Sequence, residues 1–235
     1  MNFENLKKTW EAFAQENPMW AILTAGKNRD FRWNREQFYQ AGVAGFTRIL
    51  EQVRLVAKLS EIKKSLDFGC GVGRLTFPLA EISELSVGVD VSSSMIQLAQ
   101  DRATENSISN CDFIHNTKEN LNLFGDNSFD FILSMMVLQH MEPRYFRTYL
   151  LEFLRLLKPG GILVFQLPHH IEKKASYDQF HEATAPEMEI YGMNREEVIR
   201  ILETGNTKIK GILEDDCCGP DIRSFRYIVS KSTEL

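Results

Sequence analysis

The stretch Leu66-Asp67-Phe68-Gly69-Cys70-Gly71-Val72-Gly73-Arg74 decides how the rest of the chain is read. A polar segment, Glu61 to Ser65, runs into a short apolar piece, then an acid, then three glycines spaced two apart, then an apolar helical pattern. This order predicts a buried strand that ends in a tight turn and opens a helix. Glycine lets such a turn take φ > 0 and lets a ligand touch bare backbone. The following helix would aim its first N–H groups, about half a positive charge, at that ligand. The spacing argues against a dinucleotide fingerprint, G-x-G-x-x-G, whose third glycine allows close helix–strand packing. Here Arg74 stands in that slot. Asp67, just ahead of the turn, would sit badly beside a pyrophosphate and suits a ligand with an ammonium or sulfonium group.

Working outward, strands alternate with helical patterns after Ser65, which predicts a parallel sheet. Ser86 to Asp90 reads as a second strand with an acid at its carboxyl end, and Ser92 or Ser93 as the cap of the next helix. Cys111 to His115 reads as a third strand and Phe129 to Val137 as a fourth, strongly buried one. Pro143 opens a helix, and Lys158-Pro159-Gly160-Gly161 turns into a fifth strand, Ile162 to Leu167. Residues 168–193 show no clear period and are expected to form an irregular insertion. Asn194 with Glu197 predicts a capping box, and two strands, Lys208 to Leu213 and Phe225 to Ser230, end the chain.

Residues 1–60 look helical and carry no strand pattern. Asn5 to Glu16 is one expected helix, broken at Asn17-Pro18, with a polar turn at Gly26-Lys27-Asn28. Asn34 with Gln37 caps another, from Arg35 to about Lys58, with apolar residues at helical spacing. The aromatics Trp20, Phe31, Trp33, Phe38 and Tyr39 suggest a helical cap or lid over a pocket, or simple docking of that cap on the core.

The 235 residues allow one α/β domain with an accessory piece. Hydrophobic content of 43% and charged content of 25% are those of an ordinary soluble globular protein. A net charge of -5 argues against a nucleic-acid backbone as partner. The four cysteines show neither a disulfide framework nor metal-ligand spacing, so no metal is expected and a reducing cytoplasm is the expected location. No signal-peptide core or membrane-length apolar run is present.

The acid-x-G-x-G-x-G pattern at Asp67 to Gly73 resembles motif I of the class I S-adenosylmethionine (SAM)-dependent methyltransferases. Further pieces match that family in order. Asp90 closes the second strand 17 residues beyond Gly73. Ser128-Phe129-Asp130-Phe131-Ile132 resembles the family's "sFD" strand start, Val137-Leu138-Gln139-His140 the segment after that strand, and Leu156-Leu157-Lys158-Pro159-Gly160-Gly161 the "LkPGG" turn. Together they span residues 66–168, and the chain looks closest to the small-molecule branch that includes quinone-biosynthesis methyltransferases. One departure stands out: the family's adenine-binding acid falls at Thr117, preceded by Asn116.

The resemblance implies a Rossmann-like, doubly wound α/β fold with seven strands, mostly parallel and the last antiparallel. Residues 1–60 would be the N-terminal helical cap and 61–235 the SAM-binding core. The implied cofactor contacts are Asp67 to the methionyl ammonium, Arg74 or the backbone of Gly69, Cys70, Gly71 and Gly73 to its carboxylate, and Asp90 to the ribose. Val91, Met95, Asn116, Thr117, Met135 and Trp33 complete that set. His140 is the candidate general base, with His169 and His170 on the same edge. Tyr177, Phe180, His181 and Tyr191 of the insertion are candidates to line an acceptor pocket. The implied function is methyl transfer from SAM to a small-molecule O, N or C nucleophile. A non-catalytic SAM-binding scaffold and an NAD(P)-dependent oxidoreductase remain alternatives.

Overall fold

The computed structural model describes residues 2–24, 32–169, 175–176, 188–219 and 221–233. The Gly26-Lys27-Asn28 turn, Phe31, His170, Tyr177, Phe180 and His181 lie outside the described residues. Elements follow in the order α1 (Phe3–Glu16), α2 (Pro18–Ile22), α3 (Arg35–Val56), β1 (Ile62–Phe68), α4 (Thr76–Ala80), β2 (Ser83–Asp90), α5 (Ser93–Glu105), β3 (Cys111–His115) and β4 (Phe129–Ser134). A 3-10 turn (Leu138–His140) leads to α6 (Pro143–Leu156) and β5 (Leu157–Pro168). Two short pieces, β6 (Ala175–Ser176) and β7 (Glu189–Ile190), pair with each other, and α7 (Arg195–Glu203), β8 (Thr207–Asp215) and β9 (Ser224–Lys231) finish the chain.

Seven strands form one sheet in the order β3-β2-β1-β4-β5-β9-β8. The first five are parallel; β9 runs antiparallel to both β5 and β8. This is the predicted architecture, and the two faces of β4 show why it is doubly wound. Ile132 packs with Phe146, Phe153 and Val198 of α6 and α7, while Phe131 and Leu133 pack with Phe46, Ile49 and Val53 of α3. Apolar residues on both faces give a strand its near-continuous hydrophobic run.

Of the 60 residues expected as a cap, α3 is thus a layer of the core, and α1 and α2 alone lie over the strand ends. Asn34 and Ser92 cap their helices as expected, accepting from the N–H of Gln37 and Met95. Asn194 makes no side-chain cap bond; the Glu197 carboxylate instead accepts from Arg147 on α6. The expected Lys158–Gly161 turn is absorbed into β5 as a bulge, with Gly160 at φ +78°. Asp130 ties that corner together: it takes the N–H groups of Lys63 and Lys64 and pairs with the Lys158 ammonium at 2.9 Å. No helix among the described residues is long and apolar enough to cross a membrane.

Candidate active site at the strand ends

The turn after β1 takes the predicted left-handed conformations at Gly69 and Gly71, with φ of +75° and +52°. A side chain at Gly69 would place Cβ 2.3 Å from a Val137 methyl, and one at Gly71 would place it 2.5 Å from the tip of Ile22. The helix that follows is only five residues long, Thr76–Ala80, and starts three residues after Gly73. The macrodipole expected there is therefore small, and bare turn backbone faces the cleft instead.

Asp90, at the end of β2, is held by that turn. Its Oδ2 accepts the Gly71 N–H at 2.8 Å and its Oδ1 the Ser92 N–H at 2.9 Å. Burial raises its pKa, against these N–H groups, which favour the charged form. Each oxygen has accepted one bond and keeps a lone pair for a further donor.

These residues open onto a cavity of about 80 Å³. Gly69, Gly71, Asp90, Val91, Met95, Asn116 and Met135, all expected at a cofactor site, line it. The Asn116 amide is partly committed, donating to Asn120 O at 2.9 Å and accepting from Lys118 N at 3.1 Å. The remaining wall was not foreseen: Phe3, Leu6 and Trp10 of α1, Ile22 of α2, Phe68 of β1, Val89 of β2, and Met136, Val137, Met141 and Tyr149. The helical spacing of Phe3, Leu6, Trp10 and Phe13 was the available signal.

Several expected contacts lie elsewhere. Asp67 is buried and turned away from the cavity; its Oδ2 takes the Thr76 hydroxyl at 2.6 Å. Burial pushes its carboxyl up to about 6, with the Thr76 bond and the nearby Arg74 charge opposing. A direct bond to a ligand ammonium is not what this orientation serves. Arg74 is 7% exposed and packs under α3, where a Cβ at Gly42 would sit 2.7 Å from its Cγ. Cys70 packs with Ile96, Ala99 and Phe113 behind the turn, and Phe77 and Phe113 close around Gly73. Trp33 donates its indole N–H to Leu23 O at 2.8 Å and stacks edge-on against Phe38, linking the end of α2 to the start of α3. Thr117 does not line the cavity.

His140 departs furthest from its expected role. It is buried beside Trp10, with ring centroids 5.1 Å apart. Its Nδ1 lies 3.0 Å from Glu189 O and its Nε2 3.2 Å from the Gln139 amide, so both nitrogens are engaged. Burial pushes it down to about 4. This is a neutral, structural imidazole, not an exposed base. No group of His, Cys, Asp and Glu suited to a metal occurs among the described residues.

Residues 66–165 match the family described as "Methyltransferase domain". Over that stretch the chain is similar to methyltransferase domains. The ubiquinone biosynthesis O-methyltransferase of Maricaulis maris is 32% identical over 99 residues, 42% of this chain and 38% of that protein. The demethylmenaquinone methyltransferase of a Geobacillus species is 36% identical over 105 residues, 43% of this chain and 44% of its own. The chain thus spans less than half the length of these curated relatives. Magnesium protoporphyrin IX methyltransferase from Synechocystis, with bound S-adenosylhomocysteine (SAH), has the same fold. Its TM-score is 0.69 at 17% identity, covering 98% of this chain and 100% of that one. The [4+2]-cyclase SpnF shares the fold too, with a TM-score of 0.67 at 19% identity, covering 97% of each chain. Fold alone therefore does not decide the chemistry of this chain.

Proposed function

We propose that the chain transfers the methyl group of SAM to a small, partly apolar molecule. One observation carries this reading: Asp90 and the Gly69–Gly71 turn meet in one cavity that also holds Val91, Met95 and Asn116. The fit to the nucleoside is chemical. Two carboxylate oxygens with a lone pair each suit two ribose hydroxyls. A turn with no room for Cβ suits a ligand lying on backbone. Val91 and Met95 offer apolar surface to an adenine ring, and Asn116 keeps one amide hydrogen for its edge.

When bound, SAM supplies a methyl group already activated by the sulfonium. The protein's part is to hold the nucleophile in line with it, and alignment accounts for about 7–11 kcal/mol of such barriers. Asp90 and the turn fix the nucleoside end, and Met135, Met136, Val137 and Met141 exclude water beside it. The described cavity wall carries no histidine, so this reading assigns proton removal to no described residue. The apolar wall and relatives named for ubiquinone and menaquinone biosynthesis support a small-molecule acceptor. A reducing, cytoplasmic compartment belongs to the same reading and suits a buried Cys218 thiol that donates its hydrogen.

Calorimetry with SAM, SAH and NADH tests the cofactor. Heat with the first two and none with NADH is expected; the reverse pattern overturns the reading. Radiolabelled methyl transfer to a panel of quinols, phenols and amines then separates an enzyme from a binding scaffold.

A further inference from the structure

Behind the cavity wall, seven groups join in a buried network. The Met136 N–H donates to Gln166 Oε1 at 3.1 Å. The Gln166 amide hydrogens go to Ser224 Oγ at 2.5 Å and Cys218 Sγ at 3.1 Å. The Cys218 thiol donates to Gln139 Oε1 at 3.0 Å, Gln139 Nε2 meets His140 Nε2 at 3.2 Å, and His140 Nδ1 meets Glu189 O at 3.0 Å. Gln166 is wholly buried, and Cys218, Gln139 and His140 are each at most 5% exposed.

The direction of this chain is forced from both ends. A backbone N–H can only donate, so the Gln166 atom facing Met136 must be its oxygen. A backbone carbonyl can only accept, so His140 must carry its hydrogen on Nδ1 and leave Nε2 an acceptor. Gln139 then presents NH2 to His140 and its oxygen to Cys218, which must donate. The two assignments meet at the thiol and agree.

Both ends of the chain bear on the cavity. Met136 lines it in a left-handed conformation, φ +60°, that side-chain-bearing residues rarely adopt. Val137 beside it presses on Gly69, and Met141 follows His140 in the wall. Tyr191 N donates to Gln139 O at 2.7 Å, tying the 189–191 segment to the same turn.

We propose that Gln166, Cys218 and Gln139 are positioning residues, a one-way hydrogen-bond relay that fixes the His140 tautomer and holds residues 135–141 in the shape that grips the ligand lying on the Gly69 turn. Its choice of ligand rests on the proposed function; the relay itself does not.

The test measures SAH affinity by calorimetry and the His140 ring nitrogens by 15N NMR. Cys218→Ser keeps a donor and acceptor at that point, so it retains the Nδ1–H signature and an affinity within about twofold of the parent. Cys218→Ala breaks the relay two residues from the imidazole. It is expected to shift or broaden the Nε2 resonance and weaken SAH about fivefold, the scale of one neutral hydrogen bond. Gln166→Leu and Gln139→Leu do not share a direct bond, yet the double variant should bind SAH no worse than the weaker single one. The proposal is overturned if Cys218→Ala matches the parent in both readouts, or if the two leucine effects simply multiply. If the parent chain binds no SAH, the proposed function fails while the Nε2 response to Cys218→Ala still decides the relay.

Discussion

Glu11→Gln should loosen the wall of the cavity. Glu11 sits on α1, which supplies Phe3, Leu6 and Trp10 to that wall, and its carboxylate reaches across to the start of α5. It accepts from Ser92 Oγ at 2.7 Å, Ser94 N at 3.3 Å, Ser93 Oγ at 3.4 Å and, closer still, the Ser94 hydroxyl. Burial works against its charge, but these bonds hold its pKa down to about 2, against an ordinary 4.5. At about 1.4 kcal/mol per unit, the gap of roughly 2.5 units is about 3 kcal/mol. The carboxylate is only partly buried, and screening reduces the figure to about 1 kcal/mol, the scale of a charge at a helix N-terminus. The pKa is depressed on folding, so the stabilisation is complete above pH 4.5 and lost as pH falls through 2. Thermal unfolding followed against pH should therefore show the parent above Glu11→Gln at pH 7 and the two curves converging below pH 4.5. There is a functional side. Small-molecule sites run to about 300–1,000 Å³, whereas this cavity is about 80 Å³. Admitting a nucleoside requires α1 to move aside, so stopped-flow Trp10 fluorescence should show SAH associating several-fold faster with the variant. A gap in stability that is the same at pH 2 and pH 7, or α1 amides that exchange with solvent no faster in the variant, would refute the idea that Glu11 holds α1 against α5.

Three further outcomes follow from the site. Gly69→Ala forces a side chain into a left-handed residue and against the branched Val137, and should cost about 2–3 kcal/mol in urea unfolding; Gly71→Ala meets only the flexible tip of Ile22 and should cost about half that, so equal losses would contradict the packing. Asp90→Asn keeps one acceptor but loses the charge that both hydroxyls would share, and SAH binding by calorimetry should weaken about 10- to 100-fold, each charge-assisted bond being worth about 1.5–3 kcal/mol. The His140 imidazole, pushed down to about 4 by burial, favours folding above its ordinary value of 6.5, and that contribution is lost as pH falls from 6.5 through 4; an NMR titration of its ring should show a midpoint well below 6, and one near 6.5 would mean the ring is exposed.

The sheet was legible because the signals that define it are local. Cys111–His115 and the alternation of strand and helix patterns need no tertiary knowledge, and the topology follows from them. The direction in which a side chain leaves its strand was equally readable, and the family pattern obscured it. Successive residues on a strand point to opposite faces. Phe68 lines the cavity, so its neighbour Asp67 has to point behind the turn, where Thr76 meets it. Motif position alone suggested a ligand contact; period-two geometry argues for support from below. The α1 wall was not legible for a different reason. An apolar helical stripe shows that a face is buried but not against what, and the partners of Phe3 and Trp10 lie more than 100 residues away at Tyr145 and His140.

The same distinction explains why the cleft works as a site. Left-handed residues gather at its rim: Gly69 and Gly71 on one side, Met136 on the other. Such conformations persist only where surrounding structure over-determines them. On the β1 side the restraint comes from Asp90, whose Oδ2 fixes the Gly71 N–H while the carboxylate faces the cavity. On the β4 side it comes from Gln166, which fixes the Met136 N–H from a wholly buried position with no face to the ligand. One restraint therefore doubles as a ligand contact and the other cannot. Substitutions at Asp90 should thus change what binds, whereas substitutions at Gln166 should change how well the cavity holds its shape for anything bound there. A ligand series measured against both positions separates the two. Asp90→Asn should lose discrimination between SAH and an analogue lacking the ribose hydroxyls, and Gln166→Leu should weaken both by a common factor.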